Sequence, residues 1–459
     1  MSIKNLDLNS YNQNLTVNKE NKELYGEIFT PFSLIKDMFE LIPNHLFYDK
    51  TLRWLDPGTG TGFFSIYLYF KLFDTLKENI PNDNERSDHI IKHMIFMVEI
   101  NDDHIAHLTT LFGEDSNIFN YNFLEVKIHP EQWKFDIVIG NPPFNYRGIK
   151  KVPTNTKLKK KHDGTTIWGD FLKRAMSLLK NDGYLCFITP SIWMKPDKSR
   201  LYHYIRQFKI LKLHALNNTK TNQIFKGEAQ TPCAYYLLKK CESDNYVDIF
   251  DYDQNKYITY SLKPEIPIPV FGSSVIKKFC NKVNSSNRLR VYKTNLPPKN
   301  CLLSDVEKEN YYINVHTCRL DKLSPKLIIK YSSKSCCFHN KRKLIMAHGM
   351  YGFPTIDKDG IYGISNRDKY IILREDMEDL RKLQKFFSTK TALYLFEGTR
   401  YRMKYLEKYI FELIPDITKL DNFPSEINDE TIANYFGLSD EEKIAIDNLH
   451  RKKYNYFPE

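Results

Sequence analysis

From about residue 30 to 240, strand-like apolar runs alternate with helical patterns: LRWLD, FFSIYLYFKLFDTL, HMIFMVEI, FDIVIG, WGDFLKRAMSLL, GYLCFITP, ILKLHAL and CAYYLLKK. A strand that reaches its parallel neighbour must do so by a crossover, and helical crossovers cover both faces of the sheet. The alternation therefore predicts a doubly wound, Rossmann-like α/β sheet. Beyond about residue 245 it stops, and short strands, prolines (PEIPIP, LPP) and mixed helices such as EDLRKLQKFFSTKTALYLF take over. We expect a polar tail over 1–24, an α/β domain over 25–245 and a less regular, mixed α+β domain over 246–459.

A chain of 459 residues exceeds what one core organises, which agrees with two domains. No apolar run approaches the length of a membrane span. The first residues, MSIKNLDLNSYNQNLTVNKENKE, lack the apolar stretch of a secretory signal. Eight cysteines stand without framework spacing, so reduced thiols and an intracellular location are expected. Cys336-Cys337 with His339 lacks a second ligand pair, and no metal site is predicted. Lys and Arg outnumber Asp and Glu 67 to 56, a formal charge of +11. Clusters at KLKKKH (157–162), HNKRK (339–343) and RKK (451–453) permit a phosphate-lined groove, although each alone is an ordinary solvated face.

In WLDPGTGTGFFSIYL, Gly58, Gly60 and Gly62 follow a strand and open a helix, so backbone amides can approach a ligand without Cβ obstruction. The spacing is GxGxG, not the dinucleotide pattern, and no Gly-Lys-Ser/Thr follows to make a phosphate loop. Asp56 would repel a pyrophosphate yet can hold an ammonium group, which points to a small zwitterionic ligand. Glu99 ends the next strand, where a carboxylate accepts hydrogen bonds from ribose hydroxyls in nucleoside-binding sheets. The polar insert KENIPNDNERSD accounts for the long interval between the two. Further on, FDIVIG runs into Asn141-Pro142-Pro143-Phe144. Two prolines stop the strand and stiffen the exit at its C-terminal edge, a position suited to chemistry. A merely proline-stopped strand would tolerate almost any polar residue at 141 and any side chain at 144.

Phe29-Thr30-Pro31, DPGTGTGFF, the Glu99 strand end and NPPF, in that order, resemble the amino-methyltransferases of DNA, specifically the gamma class in which the FTP-like segment comes first. GTTIWGDFLKRAMSLLKNDGYLCFITPSIWM and IFKGEAQTPCAYYLL are similar to the family's later strands. KLIMAHGMYGFPTIDKDGIYGI and the stretch to YLEKYIFELIPDI are similar to the target-recognition region of restriction-modification adenine-N6 methyltransferases. The resemblance spans about residues 25 to 418. It implies S-adenosylmethionine as cofactor, double-stranded DNA as partner and base flipping, and it leaves open whether a separate cognate endonuclease accompanies the enzyme. The residues before Thr30 are too few for a fused nuclease domain, and no nuclease block follows, so a methyltransferase alone is expected.

The resemblance also implies roles. An exocyclic adenine nitrogen is a poor nucleophile because its lone pair is delocalised into the ring. The Asn141 side-chain oxygen and the Pro142 carbonyl would accept its two protons, Pro143 would hold that carbonyl in place and Phe144 would stack on the flipped base. Thr30 would contact the amino-acid end of the cofactor, Asp56 its ammonium by way of the glycine loop, and Glu99 its ribose. Asn122 in YNFLEV stands where the family has Asp, and an amide can still meet the cofactor adenine's amino group. Phe225 in QIFKGE resembles the aromatic on the far face of the target base. His339 to Lys343 and Thr399-Arg400-Tyr401-Arg402 supply residue types for phosphate and base-edge contacts, with Arg400 and Arg402 assigned to DNA. Cys233 after Pro232 superficially resembles a cytosine-C5 nucleophile, but it opens an apolar strand and is read as packing. Cytosine N4, an RNA base or a protein glutamine would use the same chemistry. A catalytically silent DNA-binding homologue is the remaining alternative.

Overall fold

The computed structural model describes residues 2–6, 28–125, 133–146, 165–227, 229, 231–321, 324–347, 354–367, 369–401 and 406–449. The KLKKKH and RKK clusters, Arg402 and most of the 1–24 tail lie outside the described residues. Contacts divide the chain into two compact units. One takes the described residues up to Trp193 with Asp197–Ile249, and the other takes Met194–Pro196 with those from Phe250 onward. No helix among the described residues is long and apolar enough to cross a membrane.

The first unit is a doubly wound α/β sheet. Its strands are β1 (Trp54–Asp56), β2 (Ile95–Glu99), β3 (Asn117–Asn120), β4 (Phe135–Gly140), β5 (Leu179–Pro190), β6 (Phe208–Leu216), β7 (Cys233–Glu242) and β8 (Tyr246–Asp251). They lie in the order β3-β2-β1-β4-β5-β7-β6-β8. The β3-β2-β1-β4-β5 run is parallel, and β7 is antiparallel to both β5 and β6. Every residue of β1 and β2 is buried, as expected of strands covered on both faces. The helices are α1 (Phe32–Phe39), α2 (Phe63–Thr75), α3 (Asp83–His89), α4 (Asp102–Phe112), α5 (Trp168–Leu178), α6 (Leu201–Ile205) and α7 (Asn218–Ile224). The insert after α2 is not a bare loop: the Asn82 side chain caps α3, and Arg86 turns inward to Asp83 and to the carbonyls of Ile80 and Pro81.

Strand order reverses between β1 and β4. In an open α/β sheet, the crevice at the carboxyl ends of such a strand pair is where ligands bind. Asp56 ends β1, and Gly140 leads from β4 into Asn141.

The second unit carries β9 (Lys256–Ser261), β10 (Tyr292–Lys293), β11 (Leu303–Ser304), β12 (Tyr312–Asp321), β13 (Ser324–Ser332), β14 (Lys343–Ala347), β15 (Thr355–Asp357), β16 (Gly363–Ile364) and β17 (Lys369–Leu373). Two four-stranded sheets form, β10-β17-β14-β15 and β11-β13-β12-β16. Helices α8 (Ser273–Asn281), α9 (Met377–Phe387), α10 (Lys390–Glu397), α11 (Asp429–Phe436) and α12 (Asp440–Leu449) gather around an aromatic core. In that core Phe279 stacks on Phe436 with ring centroids 3.7 Å apart. This is a mixed α+β arrangement.

Candidate active site

At the end of β1 the Asp56 side chain is 2% exposed. Ser65 donates to its Oδ2 at 3.0 Å, while Oδ1 is buried with no partner. Burial pushes the carboxyl up to about 7, with the Glu99 charge adding to the rise and Ser65 and the Gly58 amide opposing it. The turn that follows is tied to β2, since the Thr59 amide donates to the Val98 carbonyl at 3.1 Å. Gly60 and Gly62 have positive φ, +56° and +94°. At Gly62 a Cβ would also stand 2.7 Å from Leu108 Cδ2, so glycine is required there on two counts. Gly58 has a different role, because a Cβ there would touch Pro143 Cδ at 3.6 Å.

Glu99 is 8% exposed. Its Oε1 accepts from the amides of Ile100 and Asn101, both at 2.9 Å, and its Oε2 accepts from the Gly60 amide at 2.7 Å. Burial opposes ionisation, but hydrogen bonds from His104 and from the Asn101 and Gly60 amides outweigh it, so the carboxyl sits below its ordinary range. Glu99 is thus a staple between glycine turn and β2, and Oε2 keeps one lone pair for a ligand hydroxyl. Sequence reasoning missed this second task, and also two neighbours. Ile100 follows Glu99 and Tyr121 follows β3, and they are 49% and 50% exposed at the same sheet edge. Their signal was available as apolar residues directly beyond strand ends. Asn122 lies beside them, its Oδ1 accepting from the Leu124 amide at 3.1 Å.

Asn141 leaves β4 beyond Gly140, whose φ is +150° and whose place could not take a Cβ without approaching Asp56 Oδ1 to 3.2 Å. The Asn141 Nδ2 donates to Thr30 Oγ1 at 3.1 Å, and its Oδ1 is buried without a partner. Pro142 is buried, and Pro143 and Phe144 are half-buried. Beyond them the Phe144 carbonyl accepts from the Ile167 amide at 3.1 Å, and Tyr146 donates to Thr165 at 2.8 Å, which fixes the far end of the loop. The FTP segment is held from behind, Phe29 and Phe32 packing on Phe63 with ring centroids 5.4 and 4.9 Å away. The structure therefore brings together Thr30 with Asn141, Asp56 with the β4 exit, Gly58 with Pro143, and Gly60 with Glu99. An unpartnered buried carboxylate oxygen, a carboxylate with a lone pair to spare and exposed apolar surface at one sheet edge fit a nucleoside bearing an ammonium group.

Other residues singled out in the sequence lie elsewhere. Phe225 closes α7 and is 4% exposed. Cys233 is fully buried in β7, its thiol pushed up to about 12 by burial, which makes it a packing residue. In the second unit Arg400 donates twice to Glu397, at 3.0 and 2.8 Å, and Tyr401 is buried with its hydroxyl on the Ile268 carbonyl. Lys343 corrects the reading of its cluster. It is fully buried and paired with Asp357 at 2.5 Å, and Nζ also donates to the carbonyls of Phe338 and Lys341. A lysine so enclosed holds loops together and does not meet a phosphate. Arg342 likewise donates to the carbonyls of Lys358 and Glu375.

Residues 13–225 match the sequence model of the family described as Eco57I restriction-modification methylase. The chain is 27% identical over 154 residues to the type II restriction enzyme and methyltransferase RM.Eco57I of Escherichia coli, an alignment that covers 32% of this chain and 15% of that protein. It is 25% identical over 304 residues to the modification methylase CviBIII of Paramecium bursaria Chlorella virus NC1A, covering 60% of this chain and 71% of the relative. Among solved structures, the type IIL restriction-modification enzyme MmeI in complex with DNA is similar with a TM-score of 0.49 at 13% identity, over 85% of this chain and 68% of that one. The chain thus spans a minor part of RM.Eco57I and about seven-tenths of CviBIII. The matched span, residues 13–225, contains the glycine turn and the proline-stiffened strand exit.

Proposed function

We propose that this chain is a site-specific DNA methyltransferase that modifies adenine N6 in duplex DNA. The observation that carries the reading is Asn141 Oδ1, a buried acceptor left without a donor on a rigid exit beside the glycine turn. A buried oxygen in that state gains most from a ligand N–H. Oδ1 and the Pro142 carbonyl accept the two amino hydrogens and draw the nitrogen lone pair out of conjugation, and Phe144 stacks on the base. S-adenosylmethionine is the cofactor; when bound, it supplies a methyl group whose C–S bond breaks as the N–C bond forms, leaving a neutral thioether. Asp56 faces its ammonium, Glu99 Oε2 its ribose, and Asn122 with Ile100 and Tyr121 its adenine. The amine proton released afterwards goes to solvent, and no cysteine nucleophile takes part.

Phe225 is assigned the far face of the base. Target selection is assigned to residues 246–459, with Arg400 and Arg402 as contacts to DNA. Cofactor binding by calorimetry followed by labelled methyl transfer to DNA, RNA and protein tests the reading. Label in duplex DNA alone is expected. Label in RNA or in a protein glutamine would replace the substrate, and cofactor binding with no transfer would identify a silent homologue.

A further inference from the structure

We propose that Thr30 is a positioning residue for Asn141: its hydroxyl fixes the orientation of the Asn141 amide and so presents Oδ1, not the NH2 group, to the target amine. The inference rests on the methyltransferase reading and assigns Thr30 a different task from the cofactor contact that the sequence suggested.

The argument starts from what is already rigid. Asn141 precedes a proline, which restricts its backbone to extended conformations, and Pro142 and Pro143 lock the following turn. What stays free is the amide plane, because the terminal torsion of asparagine is broad and roughly two-fold. The two orientations have opposite chemistry. One offers an acceptor to the amine and the other offers N–H donors, which would oppose the amino hydrogens. Burial alone does not choose between them. In this structure Thr30 Oγ1 accepts from Nδ2 at 3.1 Å, and Oδ1 is the end left without a partner.

Thr30 is itself held. It is 4% exposed, between Phe29, which stacks on Phe63, and Pro31, whose carbonyl accepts the Ile35 amide at 3.0 Å as α1 begins. The bond joins positions 111 residues apart. This explains why an FTP segment far from NPPF in sequence bears on the same reaction.

The test compares Thr30→Val, which keeps the shape and removes the hydroxyl, with Thr30→Ser, which keeps the hydroxyl. Three readouts are taken on the full chain: the Asn141 side-chain 15NH2 resonances, the S-adenosylmethionine dissociation constant, and the single-turnover methyl-transfer rate at saturating cofactor. In T30V the Asn141 amide signals should shift, the rate should fall about ten-fold, the worth of one such hydrogen bond, and the dissociation constant should stay within about two-fold. T30S should restore both signals and rate. A T30V protein with unshifted Asn141 signals, or one that loses cofactor affinity while turning over normally when saturated, would overturn the proposal. If the wild type transfers no methyl group to DNA, the functional reading fails, while the amide signals still decide whether Thr30 orients Asn141.

Discussion

The two units each hold a buried carboxylate, and the two are treated in opposite ways. In the second, Lys343 and Asp357 neutralise each other, and what the pair leaves over is taken up by nearby backbone, Asp357 accepting from the amides of Ile361 and Tyr362. Asp251, the last residue of β8 but counted by its contacts with the second unit, is treated the same way, with Ser273, Ser274, Asp253 and Gln254 as donors. In the first unit Asp56 keeps a buried oxygen without a donor, and Asn141, which follows Gly140 at the exit of β4, does the same. A buried polar group that is satisfied supports the fold, while one that is not costs stability and is retained where a ligand supplies the missing partner. An unpartnered buried atom alone does not mark a site, since Asn314 Oδ1 in the second unit is also buried without a partner; what distinguishes Asp56 and Asn141 is their place at the carboxyl ends of β1 and β4.

Breaking the scaffold side should give the largest effect. Lys343→Met leaves Asp357 buried and unpaired and should cost about 3–5 kcal/mol in urea unfolding. The double replacement with Asp357→Leu should recover much of that, because the uncompensated charge is gone. If K343M instead unfolds like the wild type and loses DNA affinity with a shallower salt dependence, Lys343 is a phosphate contact and the contrast fails.

On the site side, Gly62→Ala forces a side chain into left-handed backbone and against Leu108. It should cost about 1–3 kcal/mol of stability. It should also weaken cofactor binding, since the turn carries the amide that Glu99 holds. Unchanged affinity in titration calorimetry would detach the glycine turn from the cofactor.

The smallest effect concerns protons. Burial raises the Asp56 pKa to about 7, well above its value in an unfolded chain. Its contribution to stability is therefore fully present below about pH 4 and is lost as pH rises through 7. A cationic ammonium against Oδ1 favours the carboxylate, so cofactor binding near neutral pH should release up to one proton. Calorimetry in buffers of different ionisation enthalpy measures it, and Asp56→Asn should abolish it. Proton release that persists in D56N would place the titrating group elsewhere.

The first unit was legible because its rules are local. Apolar runs mark strands, Gly62 marks a turn only glycine can make, and Pro142-Pro143 mark a strand that must stop. What depends on partners distant in the chain was not. The residues of β6 and β7 carry no sign that β7 inserts between β5 and β6, and nothing at Glu99 reveals that Gly60 donates to it. The charge of Lys343 looked like surface, because a lysine shows no mark of its buried carboxylate until the fold brings β14 against β15. Likewise the Thr30 bond to Asn141 joins residues 111 positions apart and exists only in the folded chain.

The central claim is that Asn141 Oδ1 activates the amino group of adenine. DNA from a methylation-free host expressing either the wild type or Asn141→Ala, digested to nucleosides and analysed by mass spectrometry, tests it directly. The wild type should give N6-methyldeoxyadenosine. The variant should give none or, from the loss of one preorganised polar partner, about a hundred-fold less at unchanged cofactor affinity. A mark on cytosine, or an adenine mark of equal abundance in the variant, would contradict the account.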